Sequence, residues 1–214
     1  IEYRIRGRDG SYRWFLGRSI WVRDESGALT SRIGTATDID DQKRAERAAR
    51  FLADAGARLA ALTDAETALR EVARLAVPAF ADWCAVDVMD ARGGLRRVVA
   101  AHDERDPAWV VETISHRYRL RPDMPQGIFE VLATRRPSLV SDLTDDHLRA
   151  AARNEEHLTA LRAFAPRSYM CIPLVGREGV LGALSFATTR SGRRYDRDDL
   201  GLAVDLGARA AVAL

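Results

Sequence analysis

Lysine is almost missing from this chain of 214 residues. Lys43 is the only one, so 32 of the 33 basic residues are arginine. Alanine, with 35 residues, is over-represented alongside it. Both residues have GC-rich codons, and the bias points to a GC-rich, bacterial genome rather than to an acidic partner. The arginines are interspersed with 31 acids, the net charge is +2, and no stripe of one sign forms, which argues against nucleic-acid binding. Cysteine is equally scarce. Cys84 and Cys171 sit singly inside apolar runs, no CxxC occurs, and His102, His116, His147 and His157 are scattered. That spacing excludes a zinc site and fits inert buried thiols in a reducing cytoplasm. No apolar run is long enough to cross a bilayer, so no membrane contact is expected within these residues. The sequence starts at Ile1 rather than a methionine and contains no signal-peptide pattern, so the chain reads as a piece cut from a longer protein. A phosphate loop, a nucleophile elbow and any kinase or cyclase signature are also missing, so the segment itself is expected to be non-catalytic.

What is present is globular, with 47% hydrophobic and 30% charged residues. In "IEYRIRGRDGSYRWF", Tyr3 and Ile5 alternate with polar neighbours, and Asp9-Gly10 marks a turn. Tyr12 to Val22 gives a second strand and "RDESGAL" the next turn. Ser31 to Ile39 gives a third strand, with Ile33, Thr35, Thr37 and Ile39 at a period of two. Residues 1–40 are therefore expected to form a three-stranded antiparallel meander. Three strands bury too little to be stable alone. The stretch "DGSYRWFLGRSIWVRDESGALTSRIGTATDIDDQKRAE" resembles the C-terminal half of a PAS domain, with Asp38-Ile39-Asp40 in place of its closing Asp-Ile-Thr signature. The resemblance covers residues 1 to about 46 and implies a truncated sensor domain followed by a signalling helix.

From Asp41 the period changes. Ala45, Ala48, Leu52, Ala55, Leu59 and Leu62 recur at heptad spacing. This predicts a linker helix over 41–63 that either packs on its own domain or pairs with a second copy as a parallel signalling helix. The absence of a loop between strand and helix predicts a stiff joint, one that passes movement of the sheet on as rotation or shift of the helix.

Thr63-Asp-Ala-Glu66 reads as a capping box opening a helix with Leu69, Val72, Leu75 and Ala76 on its apolar face. "WCAVDVMD" and "LRRVVAAH" form a hairpin. Helices are expected over Ala108–Arg117 and Ile128–Thr134, then a short strand at "PSLV" and one long helix from Asp145 to Phe164. "SYMCIPLV" and "VLGALSFATT" form a second hairpin, and a helix from near Asp196 to Leu214 is apolar nearly all round except for Asp205 and Arg209. The fold class is α+β, an antiparallel sheet flanked by helices. Pro173-Leu174, Leu181 to Phe186, Gly192-Arg193, Tyr195-Asp196 and Asp199-Leu200 stand in the order in which a GAF domain ends, and the resemblance covers residues 64–214.

The resemblance implies a sensory or regulatory module, homodimeric through the helices near 41–62 and 197–214. Its effector, a histidine kinase or a serine phosphatase, would lie beyond Leu214. It also implies a small-molecule pocket between one sheet face and residues 107–165. Trp109, Tyr118, Met124, Phe129 and Phe164 are candidates to line it, and Arg117, Arg119 and Arg121 to face an anion. The stretch "PDMPQG" has neither the Asp-Ile-Pro nor the cysteine of bilin-binding relatives, and the cyclic-nucleotide residue set is missing, so the cofactor is left unassigned. A cysteine-dependent reductase is a remote alternative.

Overall fold

The computed structural model describes residues 1–8, 10, 12–90, 93–102, 108–117, 127–177 and 179–212. They divide into two compact units, Ile1–Ala53 and Asp54–Leu214.

The first unit is a three-stranded antiparallel sheet, β1 (Glu2–Arg6), β2 (Tyr12–Arg23) and β3 (Leu29–Asp38), in the order β1-β2-β3. Gly27 makes the second turn at φ +84°, and the Asp24 carboxylate accepts N–H bonds from Ser26 and Ala28. Within this unit Tyr12, Ile20, Trp21, Leu29 and Ile33 are all more than half exposed, with Ile20 opposite Ile33. Only Ile39 separates β3 from helix α1 (Asp40–Ala60). The joint is bonded on several sides. Asp40 accepts the Trp14 N–H at 3.1 Å, Asp38 accepts the Asp40 N–H at 3.0 Å, and Lys43 pairs with Glu2 at 2.9 Å. Arg13 reaches both Asp38 and Asp41, and its hydrogen bond holds the Asp38 carboxyl below the usual carboxylate range.

The second unit begins inside α1. Its remaining elements are α2 (Ala65–Ala76), β4 (Trp83–Met89), β5 (Leu95–His102), α3 (Ala108–Glu112), α4 (Ile128–Thr134), β6 (Ser138–Val140), α5 (Asp145–Ala151), α6 (Glu155–Phe164), β7 (Ser168–Gly176), β8 (Gly179–Thr188) and α7 (Arg197–Val212). The five strands form one antiparallel sheet in the order β5-β4-β8-β7-β6. One face carries Cys84, Val86, Met170, Ile172, Leu174, Leu184 and Phe186, all essentially inaccessible, and packs on α2 and α7. α7 comes so close that a Cβ on Gly207 would stand 3.2 Å from Ile172. The other face looks toward α3 to α6. Among the described residues, no helix is long and apolar enough to cross a membrane.

Three local expectations change. The cap of α2 is Asp64, which accepts the Thr67 N–H at 2.7 Å, rather than a Thr63–Glu66 box. The single helix expected over 145–164 is two: the chain leaves helical geometry at Ala152, and Asn154 caps α6 by accepting the His157 N–H at 2.8 Å. An asparagine at this point competes for backbone hydrogen bonds and so restarts the helix instead of continuing it. The helix from Ala108 ends in a π-helical turn, Thr113–Arg117. α7 turns Ala203, Leu206, Ala210 and Ala211 to the sheet, while Val204 and Val212 are exposed.

The heptad seam is divided as well. Ala55 is fully buried and Leu59 is 6% exposed within the single chain, and Arg58 donates to Glu71 on α2 at 3.2 Å. This end of α1 packs on its own domain. Ala45 is exposed and Ala48, Leu52 and Leu62 are half-buried.

Candidate functional site

The sheet face turned toward α3–α6 is built from small residues at its centre. Ala85 on β4 lies opposite Ser185 on β8, with Ala183 and Ala187 two residues to either side. Val110 and Phe164 pack against Ala85 and Ala187, and Ile128 and Val131 against Ala183, while space is left above Ser185 and beside Ala187. The result is a cavity of about 450 Å³, within the range of small-molecule sites. Trp83, Arg97, Tyr169, Ser185 and Ala187 line it from the sheet, with Ser138 and Val140 at the β6 edge. Ile114 comes from the π-helical turn, Ile128 and Glu130 from α4, His147, Leu148 and Ala151 from α5, and His157, Leu161 and Phe164 from α6.

Its polar groups are anchored. Arg97 grips the fully buried Asp87 with two hydrogen bonds, 2.9 Å from Nε and 3.0 Å from Nη2, and its guanidinium lies 5.6 Å from the Trp83 ring centre. Trp83 meets Phe164 edge-on, with ring centres 6.2 Å apart. The Tyr169 hydroxyl lies 3.0 Å from Ser185 Oγ, which donates to Cys171 Sγ at 3.6 Å. Burial is the main force lifting the Tyr169 phenol well above its ordinary range, so it keeps its proton. Both cavity histidines accept a backbone N–H at Nδ1: His147 from Thr144 at 3.1 Å and His157 from Arg153 at 3.3 Å. Burial first, and Arg153 second, push the His157 pKa down, so its ring is neutral at pH 7 with the proton on Nε2.

The wall formed by α5 and α6 is tied by Asp145, whose two oxygens accept Arg162 Nε and Nη2, each at 2.8 Å, while Arg149 adds a bond at 2.6 Å. These bonds, the one from Arg162 largest, hold the Asp145 carboxyl far below the usual range. A depressed pKa means that the contribution is complete above the unfolded value of about 4 and is lost only as pH falls through the folded value. The protection factors of the α5 amides, corrected for the intrinsic pH dependence of exchange, should therefore be unchanged from pH 7 to pH 5, and Asp145→Asn should lower them at both. Equal exchange in variant and parent would show that the bridge does not hold the wall.

Of the residues singled out from sequence, Phe164 lines the cavity. Trp109 is 52% exposed on α3, Phe129 packs with Ile128, Val131, Cys171 and Ala183, and Arg117 pairs with Glu156. Tyr118, Arg119, Arg121 and Met124 lie outside the described residues. The sequence reasoning passed over Trp83, Arg97, Tyr169, Ser185, His147 and His157. The available signal was "ALSFA", in which Ala183, Ser185 and Ala187 alternate with large residues on a central strand.

Cys84 and Cys171 are fully buried. Burial pushes the Cys84 thiol far up and the Cys171 thiol up to about 11. Neither is a thiolate at neutral pH, so alkylation by iodoacetamide should be absent from the native chain and complete after unfolding. Rapid native labelling of either would revive a thiol reaction.

Compared with known families, residues 64–214 match the GAF domain. The GAF domain of a phosphoenolpyruvate-protein phosphotransferase from Coxiella burnetii superposes with a TM-score of 0.59 at 18% identity, covering 78% of this chain and 92% of that one. The corresponding Acinetobacter domain gives 0.58 at 14% identity, covering 77% and 90%. The GAF domain of the cyanobacteriochrome TePixJ gives 0.53 at 16% identity, covering 72% and 91%. Over 46 residues the chain is 44% identical to the peroxide stress-activated histidine kinase mak1 of Schizosaccharomyces pombe, a match spanning 22% of this chain and 3% of that kinase.

Proposed function

This chain belongs to the GAF domain family, and we propose that its second unit is the ligand-sensing part of a bacterial signalling protein. The observation that carries this reading is the cavity of about 450 Å³ above Trp83, Tyr169, Ser185 and Ala187 of the sheet. A core built only for stability would fill that space, because empty volume costs packing energy. The first unit is read as the closing part of a PAS domain, supported by its meander and by the Asp38-Ile39-Asp40 passage directly into α1. The short match to a histidine kinase supports a kinase as the effector, and a serine phosphatase is the other candidate. Occupancy of the cavity would shift α1 and α7 between two packings, each contacting a second copy of the chain in the cytoplasm.

Native mass spectrometry of the purified chain tests this. The expected result is a dimer carrying the extra mass of a small molecule. A dimer without extra mass would favour a bare relay, and a monomer would sink the dimeric mechanism. Leu52→Asp should then return the dimer to monomer, because it places two carboxylates against each other on an apolar seam. Leu59 does not serve for this purpose, since it belongs to the domain core. A Leu52→Asp dimer of undiminished stability would move the interface away from α1.

A further inference from the structure

The reading of the cavity as a ligand site extends to the chemistry of what fills it. Among the described lining residues, charge is balanced. Arg97 is neutralised by the buried carboxylate of Asp87. The two other charged residues of the lining, Arg153 and Glu130, are exposed and of opposite sign. An ion entering such a site would shed its hydration and meet no net opposite charge, which is unfavourable. The surfaces are instead aromatic and aliphatic: Trp83, Phe164, Tyr169, Ile114, Leu148 and Leu161.

One polar feature of the floor can adapt. Tyr169 and Ser185 are two hydroxyls 3.0 Å apart, with the weak acceptor Cys171 Sγ behind. If Ser185 donates to Cys171, Tyr169 donates to Ser185 and its oxygen can accept from a hydroxyl. If Ser185 instead donates to Tyr169, the phenol O–H is turned outward and can donate to a carbonyl. The pair thus matches a single oxygen of either kind.

We propose that the cavity binds an uncharged, flat, largely apolar molecule with one hydroxyl or carbonyl oxygen, of phenol or quinone type, and that this oxygen rests on the Tyr169–Ser185 pair. The statement rests on the cavity being a ligand site, so the test separates the two.

Calorimetric titration of the purified chain at neutral pH with naphthol, naphthalene and naphthoate decides it. Naphthol should bind tightest and naphthoate at least about tenfold more weakly, the worth of one hydrogen bond or an uncompensated charge. Tyr169→Phe should weaken naphthol about tenfold and leave naphthalene unchanged, which also shows that the variant is folded. Ser185→Ala should weaken naphthol likewise. Ala187→Trp, or Ala187→Leu should the larger residue prevent folding, should abolish binding of all three. Naphthoate binding as tightly as naphthol, or naphthol indifferent to both hydroxyl deletions, would overturn the ligand class and leave the cavity as a ligand site. Binding that survives the filling of the cavity, or no binding by any probe, would overturn both.

Discussion

Arg97→Met should lower the stability of the second unit by about 3 kcal/mol, the lower end of the range for breaking a buried ion pair. The carboxylate of Asp87 is fully inaccessible and Arg97 retains only 18% exposure. Methionine fills the stem of the arginine and removes the charge, leaving the carboxylate buried without its bidentate partner. The small residual exposure of the site, open to the cavity, keeps the loss near the lower bound. In a chain of this length the thermal midpoint should fall by roughly 6–12 °C. The double replacement Asp87→Ala with Arg97→Met should recover most of that, because the cost lies in the orphaned charge and not in the missing attraction. A single variant that melts with the parent would show that water entering through the cavity already solvates Asp87.

Gly182→Ala should have an effect of similar size for a different reason. Gly182 lies on β8 between Val88 of β4 and Leu174 of β7. A Cβ there would stand 2.1 Å from the Asp87 carbonyl oxygen and 2.8 Å from the Val88 Cα. Both are backbone atoms, and no side chain can rotate away to make room. β4 shifts register against β5 between Val86 and Asp87, so the strand that would have to yield is already irregular where the methyl group would push. Over-packing costs about 1–3 kcal/mol, and a backbone clash belongs at or above the top of that range. Denaturant titration followed by circular dichroism should show the loss. An unchanged midpoint would mean that β4 and β8 can move apart at no cost. The two variants are separable by binding: Arg97→Met alters the cavity floor directly, whereas Gly182→Ala acts on the sheet beneath it.

The strands of the meander, the two later hairpins and the passage from β3 into α1 were legible because each depends on neighbours a few residues away. Alternation of Ile33, Thr35 and Thr37 marks a strand wherever it ends up, and Asp24-Glu25-Ser26-Gly27 makes its turn with its own side chains. The division of 145–164 was not legible from periodicity, because α5 and α6 carry compatible apolar patterns on either side of Asn154. The heptad spacing was legible, but which surface each of its residues meets was not. Spacing shows that Ala55 and Leu59 seek an apolar surface but not whose surface it is, and here it is their own domain's.

The candidate site shows the same limit more sharply. Sequence alone determined that the second unit is an α+β domain with an antiparallel sheet, that its cysteines lie in apolar strands, and that aromatics are plentiful around the expected pocket. Only the tertiary structure decided which of them meet. Trp83, Arg97, Tyr169, Ser185 and Phe164 come from five elements between positions 83 and 185. They share one cavity because the order β5-β4-β8-β7-β6 and its register place Ala85, Ser185 and Cys171 in one row. A strand's own period fixes which residues share a face. Which strands lie side by side, and in what register, is set by the burial of the whole sheet, and a shift of one residue would turn the small floor away from the helices and erase the cavity.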